Sequence, residues 1–147
     1  MEIIKYSNLV IDELKKEQFS IPYFVCTNSH RVFRRFEESE YRMVSVNKDL
    51  SRLLLNYPSD ERCQRVEDTL KGMLNKQESL LISDFEMLFD PRYEIDVVKF
   101  FCDQARVNNI AVKWPGAFTG SKLTYAEPDD PDYHEYNCDT YQMRIVL

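Results

Sequence analysis

Short apolar runs recur along the chain and are separated by longer amphipathic stretches. Residues 21–27, 79–84 and 109–114 each contain at least three consecutive apolar residues, which is typical of strands that are buried on both faces of a sheet. Residues 41–47 mix apolar and polar positions closely enough to predict another strand. Because turn-forming residues follow several of these runs, we expect a sheet whose strands are joined by short turns and helices.

The stretches between the strands have apolar residues at three-to-four spacing, which predicts helices. These helices cover residues 7–18, 30–39, 49–57, 59–76 and 95–107. Two final strands, at 120–127 and 138–147, flank an acidic loop that contains proline. Alternating strands and helices predict one α/β domain over residues 1–147, with a mainly parallel sheet, in which the last two strands form a peripheral or antiparallel addition.

Composition and charge fit an ordinary water-soluble domain. Of the 147 residues, 44% are hydrophobic and 30% are charged, with a net charge of −6. The four cysteines are far apart and only two histidines are present, so we expect reduced thiols and no zinc site. With no signal pattern and no apolar run of about 18 residues, the protein is expected to be cytoplasmic and without a membrane segment.

The run Leu80–Glu86 ends in two acids, Asp84 and Glu86, directly after a buried strand. In nucleotide hydrolases such a strand end, called Walker B, delivers one carboxylate to magnesium and another to the attacking water. Asp84 is therefore a candidate magnesium ligand, if a nucleotide binds, and both acids are candidate catalytic residues. The alternative is an apolar strand that ends in solvated acids.

The turn after Cys26 lies where a phosphate-binding loop would be expected, but it has no glycine. Such a loop needs glycines to wrap its N–H groups around the phosphates, and a lysine followed by a hydroxyl residue. Here Arg31 stands in place of the lysine and Val32 in place of the hydroxyl residue, and the first glycine in the chain is Gly72. A helix N-terminus with His30 and Arg31 could still hold an anion. The alternative is a plain strand-to-helix turn.

Basic residues are concentrated in the helix that follows, and aromatic residues in the last third of the chain. The basic group could bind phosphate or nucleic acid, or form a solvated helix face with nearby glutamates. The aromatic group suits an interface, or a hairpin that covers the edge of the sheet. The basic group is His30, Arg31, Arg34 and Arg35. The aromatic group is Trp114, Tyr125, Tyr133 and Tyr136.

Three segments of the chain resemble BrxF, the small P-loop-containing proteins of certain BREX phage-defence systems. The segments are LLISDFEMLFDP at 80–91, AVKWPG at 111–116 and LTYAEPDDPDY at 123–133. The resemblance covers about two-thirds of the chain. It implies a P-loop NTPase-like three-layer fold, with Asp84 and Glu86 at the Walker B position. This chain departs from the family at His30, Arg31 and Val32, where a glycine-lysine loop belongs.

The resemblance implies a function within a larger assembly. We expect an accessory subunit of an anti-phage defence or DNA-modification complex, acting through protein contacts after loss of nucleotide hydrolysis. The chain could also associate with itself. Two alternatives remain open, which are a nucleotide-binding ATPase-like enzyme using Asp84 and Glu86, and a DNA-binding module using Arg31, Arg34 and Arg35. No cofactor is required by the first hypothesis, whereas the enzyme hypothesis requires ATP and magnesium.

Overall fold

A six-stranded sheet, in which every pair of neighbouring strands runs parallel, forms the centre of the protein. The computed structural model describes residues 1–11, 21–74 and 78–147. In chain order the strands are β1 (Glu2–Ile4), β2 (Tyr23–Val25), β3 (Arg42–Ser45), β4 (Ser79–Ser83), β5 (Asn109–Lys113), β6 (Ala117–Thr119), β7 (Lys122–Tyr125), β8 (His134–Asn137) and β9 (Arg144–Val146). The order in the main sheet is β1-β9-β2-β5-β4-β3.

Helices cover both faces of this sheet. They are α1 (His30–Glu38), α2 (Val46–Leu54), α3 (Arg62–Leu74) and α4 (Val97–Gln104). Successive residues of a strand point to opposite faces, so Tyr23 and Val25 pack with α1 while Phe24 packs with the other three helices. The prediction of an α/β protein with a mainly parallel sheet is confirmed.

The antiparallel strands β6, β7 and β8 form a second, smaller sheet. It packs against the main sheet on the side of α2, α3 and α4, through the buried side chains of Leu123 and Tyr136. Among the described residues, α1 is the helix that covers the other face of the main sheet.

The C-terminal strand does not lie where the sequence indicated. We expected residues 120–127 and 138–147 to form a peripheral pair, but β9 lies inside the main sheet between β1 and β2. Its Ile145 belongs to the core on one face and its Val146 to the core on the other. Strand β7 pairs instead with β6 and with β8, a strand that begins in the predicted acidic loop.

Other differences are local. Helix α2 begins at Val46, within the predicted strand 41–47. The predicted helix 7–18 lies mostly outside the described residues, and its described beginning has a 3-10 turn at Tyr6–Asn8 followed by extended backbone. Strand β1 was not predicted. Among the described helices, none is long and apolar enough to cross a membrane.

Candidate functional site

The carboxyl ends of the parallel strands meet at one edge of the main sheet, where ligands of such folds usually bind. Ser45 ends β3, Asp84 follows β4 and Lys113 ends β5. The turn between β2 and α1 reaches the same edge. Because β5 and β4 lie between β2 and β3, residues that are distant in the sequence become neighbours here.

The two predicted acids are held by β3 and by the start of α2. Ser45 Oγ donates a hydrogen bond of 2.8 Å to Asp84 Oδ2. Asn47 Nδ2 donates one of 2.7 Å to Glu86 Oε2, and Asn47 Oδ1 accepts one of 3.2 Å from the backbone N–H of Met87. Sequence reasoning missed Ser45 and Asn47, although their place at the end of a predicted strand was a usable signal.

Asp84 has a left-handed backbone conformation, with a φ of 50°. Aspartate tolerates this conformation better than most residues, because its short side chain bonds locally. The Asp84 side chain is exposed while the Phe85 ring, one residue later, is 1% exposed. The sharp bend thus brings a carboxylate to the edge and an aromatic ring into the core.

The turn between β2 and α1 spans only residues 26–29, and none of them is glycine. The backbone N–H of Ser29 donates to Thr27 Oγ1 over 3.3 Å, so this donor is used within the turn. Val32, at the position of the expected magnesium-binding hydroxyl, is 0% exposed and packs in the core beneath α1. These residues do not fit magnesium–ATP in the manner of a P-loop.

The four residues of the predicted basic group do not all lie on one exposed surface. His30, Arg31 and Arg34 are exposed on α1. Arg35 turns away, because its guanidinium donates hydrogen bonds to the backbone carbonyls of Tyr6 and Leu9. Arg35 therefore fastens the N-terminal segment to α1, and the other three remain at the surface.

An open groove lies between α1 and the ends of β3, β4 and β5. Its volume is about 400 Å³. Lys113, which sequence reasoning did not single out, extends across it and places its Nζ 5.2 Å from the centroid of the Phe33 ring. The groove is lined by His30, Phe33, Arg34, Glu37, Met43, Leu81, Ser83, Asp84 and Lys113.

The predicted interface aromatics fall into two pairs. Trp114 and Tyr136 are 5% and 6% exposed, and they belong to the core between the two sheets. These two residues therefore do not form a surface, which corrects the interface expectation for them. Trp114 Nε1 donates to the carbonyl of Thr124 over 3.0 Å. A buried indole needs such a partner.

Tyr125 and Tyr133 are half-buried and remain available to a partner. Tyr125 stacks on Phe89, with 3.9 Å between ring centroids. Burial, followed by the carboxylates of Glu86, Asp132 and Asp130, raises the pKa of Tyr125. The acidic loop is thus close to Glu86, so one side of the edge is acidic while the α1 side carries the basic residues.

Within the described ranges, no group of three or more histidine, cysteine, aspartate and glutamate side chains is arranged to hold a metal ion. Burial raises the pKa of Cys26 and of Cys102 to about 12, and it also raises the pKa of Cys138. Cys63 alone of the four is exposed.

The exposure of Cys63 and the burial of the other cysteines predict how fast each thiol reacts. At pH 8, we expect a chromogenic disulfide reagent to modify Cys63 quickly and the other three at least about a hundredfold more slowly, because the thiolate is the reactive form. Absorbance should report one fast thiol in the native protein and four in denaturant. The variant Cys63→Ser should lose the fast phase. Any fast-reacting thiol that remains in the Cys63→Ser variant would contradict the prediction.

The fold is that of an α/β protein with a mainly parallel sheet, and polar side chains cluster at the carboxyl ends of its strands. Comparisons with protein-family models, with curated proteins and with solved structures gave no match to this chain.

Proposed function

We propose that this chain is a P-loop-type α/β domain that has lost nucleotide hydrolysis and serves as an accessory subunit of a prokaryotic anti-phage defence or DNA-modification complex. It acts through protein–protein contacts. The class of assembly rests on the resemblance to BrxF. The loss of hydrolysis rests on the residues at the carboxyl edge.

The turn between β2 and α1 is the observation that carries the proposal. A phosphate loop must offer several inward N–H groups from a glycine-rich backbone. The turn here is four residues long without glycine, and Val32 is buried where a hydroxyl is needed. Restoring the loop would require an insertion as well as substitutions. The turn therefore cannot act as a phosphate-binding loop that would bring a nucleotide to Asp84 and Glu86.

The two acids also have a structural role that explains their presence without catalysis. Asn47 joins Glu86 to the backbone of Met87, and Ser45 joins Asp84 to β3. Hydrogen bonds to charged groups contribute about 1.5–3 kcal/mol each. The acids thus fasten the loop after β4 to the neighbouring strand, which favours a scaffold over an ATPase.

The DNA-binding alternative is less well supported by the same geometry. Of its three arginines, Arg35 is engaged with backbone carbonyls, leaving Arg31 and Arg34. Glu37 and Glu38 lie on the same helix, and the whole chain has a net charge of −6. Two arginines beside two glutamates give little attraction for a DNA backbone.

The test is co-purification with the products of the neighbouring genes. We expect the tagged chain to capture a stable partner, and the variant Glu86→Gln, which keeps an acceptor for Asn47, to capture it equally. We also expect no ATP turnover by either protein. Brisk ATP hydrolysis that Glu86→Gln abolishes, together with no captured partner, would refute the proposal.

A further inference from the structure

The groove between α1 and β3 has its basic side chains at one end. Helix α1 starts at the carboxyl edge and runs back over the sheet, so His30 lies at that edge and Glu37 lies about two turns away. Arg34 is one turn from His30 on the same side of the helix. Lys113 joins them from the end of β5. An anion at this edge meets the positive charges of Arg34 and Lys113, with the exposed carboxylate of Asp84 at the end of the neighbouring strand β4.

The start of α1 strengthens this end of the groove. The first N–H groups of a helix carry partial positive charge, which favours an anion nearby. No acidic residue lies in the first turn of α1 to neutralise it. Arginine and lysine are the side chains that most often hold phosphate in proteins.

The inner part of the groove is apolar. Its floor contains Leu81 of β4 and Met43 of β3, whose side chains share the α1 face because these residues are paired in register. Met43 is 51% exposed, an unusual position for a large apolar side chain in a strand. Phe33 forms the wall beneath Lys113. Leu81 itself is 0% exposed, so a flat aromatic ligand group would pack on Phe33 and Met43.

Asp84 lines the groove directly after β4, beside the end of β5 that carries Lys113. One oxygen of its carboxylate accepts the hydrogen bond from Ser45 Oγ. A carboxylate can accept several hydrogen bonds, so Asp84 retains capacity to accept bonds from ligand hydroxyl groups. Carboxylates bind ribose hydroxyls in this way in other parallel-sheet proteins.

We infer that this groove binds a mononucleotide. Its phosphate contacts Arg34, Lys113 and His30, its base packs on Phe33 and Met43, and its ribose hydroxyls donate to Asp84. The cavity of about 400 Å³ lies within the range of small-ligand sites. Of the residues at the place of the glycine-lysine loop, this site uses only His30, and it goes beyond the accessory role proposed above.

Isothermal titration of the full chain with AMP, ADP and inorganic phosphate tests the inference. We expect saturable binding of at least one of the two nucleotides, in competition with phosphate. Arg34→Gln and Lys113→Gln should each weaken binding about tenfold or more, because each removes a charged hydrogen bond. The matched control is Lys71→Gln, a lysine paired with Glu67 on α3, far from the groove in the sequence and on the opposite face. It should leave the affinity unchanged.

Methionine methyl signals locate the ligand independently. In ¹³C-methyl spectra the signal of Met43 should shift on addition of the nucleotide, while that of Met143, which is 1% exposed in the core, should not. Absence of saturable binding at millimolar nucleotide would overturn the inference. So would binding that both groove variants leave within twofold of wild type. Neither result bears on the capture of a protein partner, so this inference and the proposed function can fail separately.

Discussion

Replacing Gly116 with alanine is expected to destabilise the protein by about 3 kcal/mol or more, because there is no space for the added methyl group. A Cβ at this position would lie 1.8 Å from the carbonyl oxygen of Thr124 and 3.1 Å from Trp114 Nε1. The same carbonyl accepts the hydrogen bond from the indole. The strand β7 and the Trp114 ring would both have to move. Urea unfolding followed by the fluorescence of Trp114, the only tryptophan, measures the change.

Gly72→Ala is the matched control for this substitution. Gly72 lies inside α3, and a Cβ there would have no neighbour within 4 Å. Since glycine weakens a helix interior, this change should stabilise the protein by about 0.5–1 kcal/mol. The two glycine-to-alanine changes thus have opposite expected signs. A Gly116→Ala protein as stable as wild type would show that β7 approaches this glycine less closely than described.

Strands whose two faces are both buried could be predicted from the sequence. The run 79–84 contains three consecutive apolar residues, Leu80, Leu81 and Ile82, and β4 is central with neighbours on both sides. Strand β9 has a similar pair, Ile145 and Val146, but it is short and its neighbours β1 and β2 come from the other end of the chain. Pairing over such a distance leaves no local pattern, so its position in the sheet was not predictable.

The site was predictable only in part, for a related reason. The acids Asp84 and Glu86 follow an apolar strand, so the sequence indicates them. Their partners are Ser45, at the end of β3, and Asn47, at the start of α2, and only the order of the strands brings them together. Lys113 looks like any other surface lysine until α1 is placed beside it. A groove is a property of several elements, whereas each pattern in the sequence describes one element.

Aromatic residues posed a different difficulty. Trp114 and Tyr136 have both an apolar body and a polar tip, which suits either an interface or a core with one hydrogen-bond partner. The small sheet decides between these, because Tyr136 on β8 points into the core and its ring lies 5.9 Å from the centroid of the Trp114 ring. The sequence contained β7 as a strand but not its pairing with β8. Burial of these two residues therefore followed from a contact that could not be predicted.

Replacing Phe89 with alanine should cost about 3–5 kcal/mol of stability, the usual loss for a fully buried phenylalanine. Phe89 is 0% exposed and lies in the 3-10 turn that begins with Glu86. Its ring stacks on Tyr125 and lies 5.6 Å from the centroid of Trp114. The ring thus connects the loop that carries the acids to the small sheet. Urea unfolding by circular dichroism gives the free energy.

A second measurement distinguishes a local effect from a general one. Because Phe89 contacts Trp114 and Tyr125, its loss should change the native emission of Trp114 and increase amide hydrogen exchange in β7 before exchange increases in β4. Leu55→Ala is the control, since Leu55 is 67% exposed, and it should change stability by no more than about 0.5 kcal/mol. If Phe89→Ala cost less than about 1 kcal/mol, with Trp114 emission unchanged, the small sheet would be fastened to the main sheet without this ring. The loop that carries Glu86 would then be free to move without disturbing β7.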